Sequence, residues 1–528
     1  SITTKPSTPM NKKRHPNGSS TNAGNAMDRR KFIGGVSAAA AGLTIVPAHV
    51  LGGRGRTAPS DMVHVAYIGL GTQGLRQMPA LLNIPGVRIT AVCDPQRKAI
   101  NYRDWDPASL RKQMRELIND PDWTTGGNNT IPGGLDNGKE LVDRYYELQH
   151  GKKKGKGCNA YTDFRELFEK EKDIDAVQVM TTDHVHGIIS AAALKRNIAV
   201  TIHKPLANRL KEGKKVVEMA RKSNAVTHLM PWDSNGSMDQ IMAWINGGAI
   251  GELQEVHNWS FRPVWPQYAH IPTDTPKVPE GFDWDLWLGP EAYRPYHPNY
   301  TNMVFRGWYD FGGGSMADMG HYSLWTVFEA LKLEGPTIVE PNLSHVCGLK
   351  PDDSAYKINN DFSFPYACSV RFKYPAIENR PAVDLVWYDG GMRPPVPQEF
   401  YDKGIDFPSE GMMFKGDQGI IMTSGFNVED PYLLSGDVRE TKEVTAAAGA
   451  VKIPGVERFI TGVKEGKQIA GNFRQAWGIT EAVNLYAVAL RANKTLRYDA
   501  LNMKVTNDAD ANAYLDRKYR SGWSMEEM

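Results

Sequence analysis

The sequence predicts an α/β fold that begins with a doubly wound, mostly parallel sheet, and three observations predict it. A short apolar strand, Val63–Ile68, runs into Gly69-Leu70-Gly71-Thr72-Gln73-Gly74 and then into a helical pattern through Leu75, Met78, Leu81 and Leu82. A second strand, Val87–Cys93, ends on a carboxylate, Asp94. Further on, apolar runs of strand length at 176–180, 198–202 and 225–230 alternate with helical stretches through Ile188 to Leu194 and Leu210 to Lys222. Strands that alternate with helices favour a parallel sheet with both faces covered.

The glycine turn is GxGxxG in the setting its chemistry requires, between a strand and a helix N-terminus. The first glycine permits the turn, the second lets backbone approach a pyrophosphate, and the third lets helix and strand pack closely. Free N–H groups and the helix dipole then hold phosphate. Asp94 lies 20 residues after Gly74, where a carboxylate accepts hydrogen bonds from ribose hydroxyls and repels a 2′-phosphate. This predicts NAD rather than NADP, with Arg97 nearby as a counter-indication. Gly69, Gly71, Thr72, Gln73, Gly74 and Asp94 are therefore candidate cofactor contacts. Two later strands end in Thr181-Thr182-Asp183-His184-Val185-His186 and in His203-Lys204-Pro205. Ligands of open α/β sheets bind beyond the carboxyl ends of the strands. Thr181, Asp183, His186 and Lys204 are placed near the nicotinamide on that ground.

Composition narrows the class. The 528 residues suggest two or more domains. Lys and Arg number 62 against 60 Asp and Glu, a net charge of +2, which excludes the basic excess of a nucleic-acid binder. The four cysteines show no CxxC spacing, so neither a zinc finger nor a disulfide scaffold is expected, and buried free thiols are. Thirteen Trp and 21 Tyr offer faces suited to sugar rings, although most belong to the core. Residues 1–26 read as disordered. Asp28-Arg29-Arg30-Lys31-Phe32-Ile33 then precedes an Ala/Gly-rich apolar stretch, Gly34 to Val46, a pattern similar to a twin-arginine export signal. That stretch is too short for a membrane span, and export to the periplasm is expected. The predicted organisation is a tail and signal over 1–60, a nucleotide-binding domain over 61–231, and a second domain over 232–528. An insertion at about 98–157 carries helices near 108–119 and 138–149, an Asn/Gly-rich turn at 126–129 and a Lys/Gly run at 152–157. It is either a lid, a subunit contact or a solvated excursion.

The second domain shows strand-like alternation at 253–261, 364–374, 382–388 and 411–423, and helical patterns at 237–247, 315–332 and 473–490. Asn258 to Trp265 and Phe305 to Gly314 are segments suited to a sugar, with Arg262, Trp265, Arg306 and Trp308 as candidate contacts.

The glycine turn, the His186 loop, Lys204-Pro205 and Asp318-Met319-Gly320 together resemble the Gfo/Idh/MocA oxidoreductase family over roughly residues 61–495. The resemblance implies an N-terminal Rossmann domain and a C-terminal α+β domain with an open, mostly antiparallel sheet. That sheet would carry the substrate site and the contacts of a homo-oligomer, dimer or tetramer. It also implies a cis bond before Pro205 that places Lys204 at the nicotinamide. Two departures stand out. The family's Glu-Lys-Pro is His203-Lys204-Pro205 here, and its Asp-x-Gly-x-His places Tyr322, not a histidine, four residues after Asp318. The tyrosine is similar to the branch that contains glucose–fructose oxidoreductase. On a helix Asp318 and Tyr322 share a face, and His321 points about a quarter turn aside.

Oxidising a secondary alcohol needs a hydride acceptor and a base. A neighbouring Lys204 ammonium favours the phenolate of Tyr322, so Lys204 and Tyr322 are assigned jointly to proton transfer, with Asp318 orienting Lys204. His186 and His321 are expected to bind substrate hydroxyls or relay the proton. His184 and His203 are expected to be structural. His184, His186, His203 and Asp183 do not make a convincing metal site, and no metal is expected. The leading expectation is an NAD(P)-dependent oxidoreductase acting on a sugar, polyol or glycoside, C3 oxidation of a glycoside being its most specific form. The alternatives are an NAD-dependent glycosidase working by transient oxidation and elimination, and a non-catalytic binding protein. Nucleic acid and a membrane span are not expected.

Overall fold

A computed structural model describes residues 61–123, 131–152, 157–233, 236–437 and 454–528. The expected tail and export signal over residues 1–60 lie outside the described residues, as does the turn at 126–129 and most of the Lys/Gly run.

The first sheet forms from β1 (Val63–Ile68), β2 (Val87–Cys93), β5 (Asn159–Tyr161), β6 (Ala176–Val179), β7 (Ala199–His203) and β8 (Thr227–Met230), all paired in parallel in the order β5-β2-β1-β6-β7-β8. Period-two alternation sends its side chains to opposite faces. Val65 and Tyr67 pack under α1 (Thr72–Leu82), α2 (Pro107–Leu117) and α3 (Leu135–His150). Ala66 and Ile68 pack under α4 (Phe164–Lys170), α5 (His186–Lys195) and α6 (Leu210–Lys222). The chain order reverses between β1 and β6, and a crevice opens there beyond the strand ends. The insertion supplies α2 and α3 at nearly their expected bounds, together with an unforeseen two-stranded pair, β3 (Ala99–Tyr102) and β4 (Ile131–Gly133).

The second sheet has nine strands. After α7 (Met238–Asn246) come β9 (Leu253–Trp259), α8 (Trp284–Leu288), α9 (His321–Leu331), β10 (Ile338–Leu343) and a hairpin of β11 (Cys347–Leu349) and β12 (Ala355–Lys357). Then follow β13 (Cys368–Tyr374), β14 (Val383–Asp389), α10 (Gln398–Lys403), β15 (Gly411–Gly416), β16 (Ile420–Met422), β17 (Tyr432–Ser435), α11 (Gly455–Glu465), α12 (Trp477–Ala492), β18 (Leu496–Asp499) and β19 (Lys504–Val505). The order is β17-β16-β15-β9-β14-β13-β10-β18-β19. The β9–β14 pair is parallel and every other pairing is antiparallel, as expected of the open, mostly antiparallel sheet. Val256, Phe372 and Leu385 on one face pack against Leu324 and Phe328 of α9 and Leu485 of α12. On the other face Trp259, Val386 and Tyr388 are covered by Phe400 and Phe407. Helix α12 packs against both α6 and β10, and α11 returns to β1, β7 and β8, so the last quarter of the chain is fastened to both sheets. Among the described residues no helix is long and apolar enough to cross a membrane. Cys93, Cys158 and Cys368 are buried free thiols, whereas Cys347 is exposed.

Candidate active site

A cavity of about 510 Å³ extends from the glycine turn, across the carboxyl ends of the first sheet, to Tyr322 below the second. Its size is that of a small-molecule site.

The glycine turn forms one end. Gly69 has φ +100°, and a Cβ there would lie 2.4 Å from the Met180 carbonyl carbon, so the loops after β1 and β6 meet closely at the switch point. A Cβ on Gly74 would lie 2.2 Å from the Gly69 carbonyl oxygen. Helix α1 starts after Gly71 with no side-chain cap and no acid in its first turn, which leaves its leading N–H groups for an anion. Thr72, Gln73 and Gly74 line the cavity there. Asp94 also lines it, its oxygens accepting from the backbone N–H of Leu70 (2.7 Å) and of Gln96 (2.9 Å). Burial pushes its carboxyl up to about 6 against these two bonds. Arg97 turns instead to Asp136, 2.9 Å away, and both are solvent-exposed. The insertion closes one side: the Tyr102 hydroxyl sits against Gly71, and Asp104, paired with Arg76 at 2.6 Å, and Trp105 line the wall. These residues fit a dinucleotide, with a backbone cradle for the pyrophosphate and a carboxylate for the ribose.

The other end is built from side chains. The Lys204–Pro205 peptide is cis. The Lys204 ammonium donates to Asp318 Oδ1 and lies 5.0 Å from the centre of the Tyr322 ring. Arg306 Nε donates to the same Oδ1 at 3.1 Å. Burial opposes ionisation of Asp318, but these two cations hold its carboxyl well below the usual carboxylate range. The expected single helix over 315–332 is a π turn, Met316–Gly320, followed by α9, and it still presents Asp318 and Tyr322 to the cavity. Such turns recur at functional sites. Tyr322 is 38% exposed.

Thus the sequence places Gly69, Gly71, Thr72, Gln73, Gly74, Asp94, Thr181, Lys204, Arg262, Trp265, Arg306, Asp318 and Tyr322 on one cavity, and all of them line it. Four other candidates do not. His186 is buried, with its Nδ1 2.6 Å from the Pro205 carbonyl and its Nε2 3.1 Å from that of Thr181. It fastens the two strand-end loops together, and burial pushes its pKa down to about 4. Asp183 accepts from the Gly313 N–H at 2.9 Å, joining the loop after β6 to the glycines ahead of α9. His321 is buried and donates from Nδ1 to the Ala317 carbonyl, one turn back, at 2.8 Å. Trp308 donates to the Asn299 carbonyl at 2.7 Å and stacks on Tyr268 inside an aromatic cluster. Each satisfies buried backbone or packs in a core, and none of the four lines the cavity, although His321 Nε2 is left without a partner among the described residues.

The opposite error concerns His203, expected to be structural. Its Nε2 lies 3.5 Å from the Tyr322 hydroxyl, and the residue lines the cavity. Burial first, then the Lys204 and Arg306 cations, push its pKa well below the ordinary histidine value, so the ring stays neutral and offers the phenol a hydrogen-bond acceptor without holding a proton. Its place at the end of β7, beside Lys204, was the available signal. Glu410 and Asn427 also line this end, and nothing local in the sequence marks them. His184, paired with the Trp287 carbonyl at 2.8 Å, is structural. Among the described residues no three His, Cys, Asp or Glu side chains converge as a metal site requires.

Comparison with known proteins agrees with this architecture. The NAD-binding Rossmann fold of an oxidoreductase family matches residues 140–230, and the C-terminal alpha/beta domain of the same family matches 239–339 and 433–525. The chain belongs to the Gfo/Idh/MocA oxidoreductase family. No curated protein matches it by sequence. Among solved structures it is similar to the aldose-aldose oxidoreductase from Caulobacter crescentus, at 14% identity and TM-score 0.41 over 83% of this chain and 99% of that one. It is similar also to the WlbA dehydrogenase from Bordetella pertussis, solved with NADH and UDP-GlcNAcA, at 11% identity and TM-score 0.46 over 85% and 100%. A levoglucosan dehydrogenase, in complex with NADH and levoglucosan, matches at 12% identity and TM-score 0.42 over 82% and 98%.

Proposed function

We propose that this Gfo/Idh/MocA protein is an NAD-dependent oxidoreductase acting on a secondary alcohol of a sugar, polyol or glycoside. The observation that carries the reading is Lys204, held by Asp318 against Tyr322 at the end of a cavity that begins at a GxGxxG turn. Bound along that turn, NAD would supply the hydride acceptor. Gly71, Thr72 and Gln73 would hold its phosphates through backbone and helix dipole, and Asp94 would accept from the adenosine ribose. Arg97, engaged by Asp136, is turned from a 2′-phosphate, which supports NAD over NADP.

At the other end Lys204 donates to the oxygen of the reacting alcohol. That hydrogen bond favours the developing carbonyl oxygen and fixes the carbon to be oxidised. Tyr322 takes the hydroxyl proton as its own proton leaves to solvent through the open cavity, and the neutral His203 Nε2, 3.5 Å away, orients the phenol as a hydrogen-bond acceptor. Asp318, doubly paired, keeps Lys204 in place. Arg262, Trp265 and Arg306 bind the remainder of the substrate.

The test is a panel of free sugars and glycosides with added NAD, followed by NADH absorbance and product mass. A product lighter by two hydrogens with matching NADH is expected. Free sugar released without net NADH would instead indicate the glycosidase, and protein that binds no NAD would defeat the reading. Export by the Arg29-Arg30 signal and assembly through the second sheet complete the proposal. A reporter fused to residues 27–60 that stays cytoplasmic, or a monomer in solution, would remove those parts.

A further inference from the structure

The substrate end contains polar atoms that the protein itself leaves unmatched. Arg262 Nε is buried without a partner, and among the described residues its guanidinium makes no hydrogen bond or ion pair. Trp265 is 6% exposed, yet among the described residues its Nε1–H has no acceptor. Asn427 Oδ1 is buried and likewise accepts from none of them. All three residues line the same cavity. A buried polar group without a partner is costly; these three atoms are closed to water while their residues form the cavity wall, so a ligand seated there satisfies them once the side chains shift to meet it.

The charges identify what that is. Lys204, Arg306 and Arg262 face this end, against Asp318 and Glu410. Asp318 is occupied by Lys204 and Arg306. Glu410 accepts from Ser260 Oγ at 2.7 Å, and the same oxygen accepts from the Arg262 backbone N–H at 3.1 Å. Ser260 therefore stands between Glu410 and the Arg262 backbone, and among the described residues the Arg262 guanidinium has no carboxylate partner. A neutral sugar would bury that cation without a counter-charge.

Resting on the sugar-oxidoreductase reading, we propose that the substrate is a sugar acid whose carboxylate is held by Arg262 and Trp265. The planar guanidinium fork matches a carboxylate through two parallel hydrogen bonds. The indole Nε1–H supplies a third donor, and Asn427 Oδ1 accepts from a ring hydroxyl. The carboxylate then sets which sugar carbon reaches Lys204.

The experiment is calorimetric titration of the whole protein, with saturating NAD and without it, using glucuronate, glucose and glucose 6-phosphate. Glucuronate is expected to bind about tenfold to a hundredfold more tightly than glucose. Arg262→Gln should bring that ratio close to one, Arg262→Lys should retain part of it, and Trp265→Phe should reduce it less. Equal binding of acid and neutral sugar by the wild-type protein overturns the inference whether or not the variants fold. So does a preference for glucose 6-phosphate that depends on Arg262, which would make the anion a phosphate. NADH formation measured in parallel separates this inference from the one beneath it. Acid binding through Arg262 without turnover leaves the anion site and defeats the oxidoreductase, while turnover without acid preference does the reverse.

Discussion

At the glycine turn the cavity wall is backbone; at Tyr322 it is side chain. The first end draws on residues 69–74 and Asp94, close in sequence, and its donors are N–H groups that any helix start possesses. The second end gathers Lys204, Arg262, Arg306, Asp318, Glu410 and Asn427 from six separated segments. At the backbone end the leading N–H groups of α1 are held free for an anion, while the Asp94 carboxylate is fixed by two backbone bonds. The side-chain end holds buried polar atoms with no partner among the described residues. A common cofactor is bound through geometry that a local pattern fixes, while a particular substrate is read by groups held ready at a cost in stability.

The sharpest way to break this contrast is Lys204→Ala. It removes the one lysine that lines the cavity among the described residues and leaves the buried Asp318 carboxylate with Arg306. Turnover should fall by about a thousandfold, within the range of general acid–base contributions, with a far smaller change in NAD affinity. A loss of less than about tenfold in single-turnover rate would mean the chemistry occurs elsewhere.

Gly74→Ala strikes the opposite end. The new Cβ would meet the Gly69 carbonyl oxygen at 2.2 Å, and backbone cannot step aside as a side chain can. A cost of about 1–3 kcal/mol is expected, divided between a lower melting temperature and weaker NAD binding. Thermal melts and NAD titration check it. Unchanged values in both would show that the close approach is not required.

Tyr322→Phe and His203→Gln probe the proton transfer at Tyr322. Tyr322→Phe should lower kcat by about a hundredfold and His203→Gln by about tenfold. Glutamine still offers the phenol an acceptor, so His203→Leu should lower kcat further than His203→Gln. Equal losses in the two variants would return His203 to a structural role.

How much of this was legible in the sequence follows the same division. The glycine turn, β1, β2, β6 and β7 were readable because hydrophobic alternation and glycine spacing are local. Lys204, Asp318 and Tyr322 were readable through motif spacing, although the π turn at Met316–Gly320 was not. His186, Asp183 and His321 were misassigned for one physical reason. The loops at strand ends and the π turn at Met316–Gly320 leave carbonyls and N–H groups that must be satisfied, and these side chains satisfy them. Residue type and a position near the site cannot separate that duty from ligand contact. Trp308 was lost to an aromatic cluster. Asn427 and Glu410 flank the β15–β16 hairpin and reach the cavity through the pairing of β15 with β9, a long-range event with no local signature.

The pH dependence of cofactor binding sharpens the role of Asp94. Burial raises its folded pKa to about 6, against 3.8 for the ordinary carboxyl. Its contribution to folding stability is therefore complete below 3.8 and is lost as pH rises through about 6. NAD needs the ionised carboxylate as acceptor, so affinity should move the other way, weakening by up to tenfold per pH unit below about 6. Melting temperature without cofactor and the NAD dissociation constant, both measured from pH 5 to 8, should thus shift in opposite senses, and Asp94→Asn should flatten both. Parallel shifts would assign the titration to another group.

The smallest expected effect tests cofactor choice. Arg97 and Asp136 are both exposed and 2.9 Å apart, a pair of the kind worth up to about 1 kcal/mol. Asp136→Asn releases Arg97, and NADP affinity should improve by no more than about fivefold, the equivalent of that energy. Asp94 still repels a 2′-phosphate, so NAD should remain preferred until Asp94 is replaced as well. If Asp136→Asn alone made NADP the better cofactor, discrimination would rest on the exposed arginine and not on the carboxylate that backbone holds in place. The backbone-built end of the cavity would then depend on a side-chain pair after all, and the contrast between the two ends would fail where it is drawn most firmly.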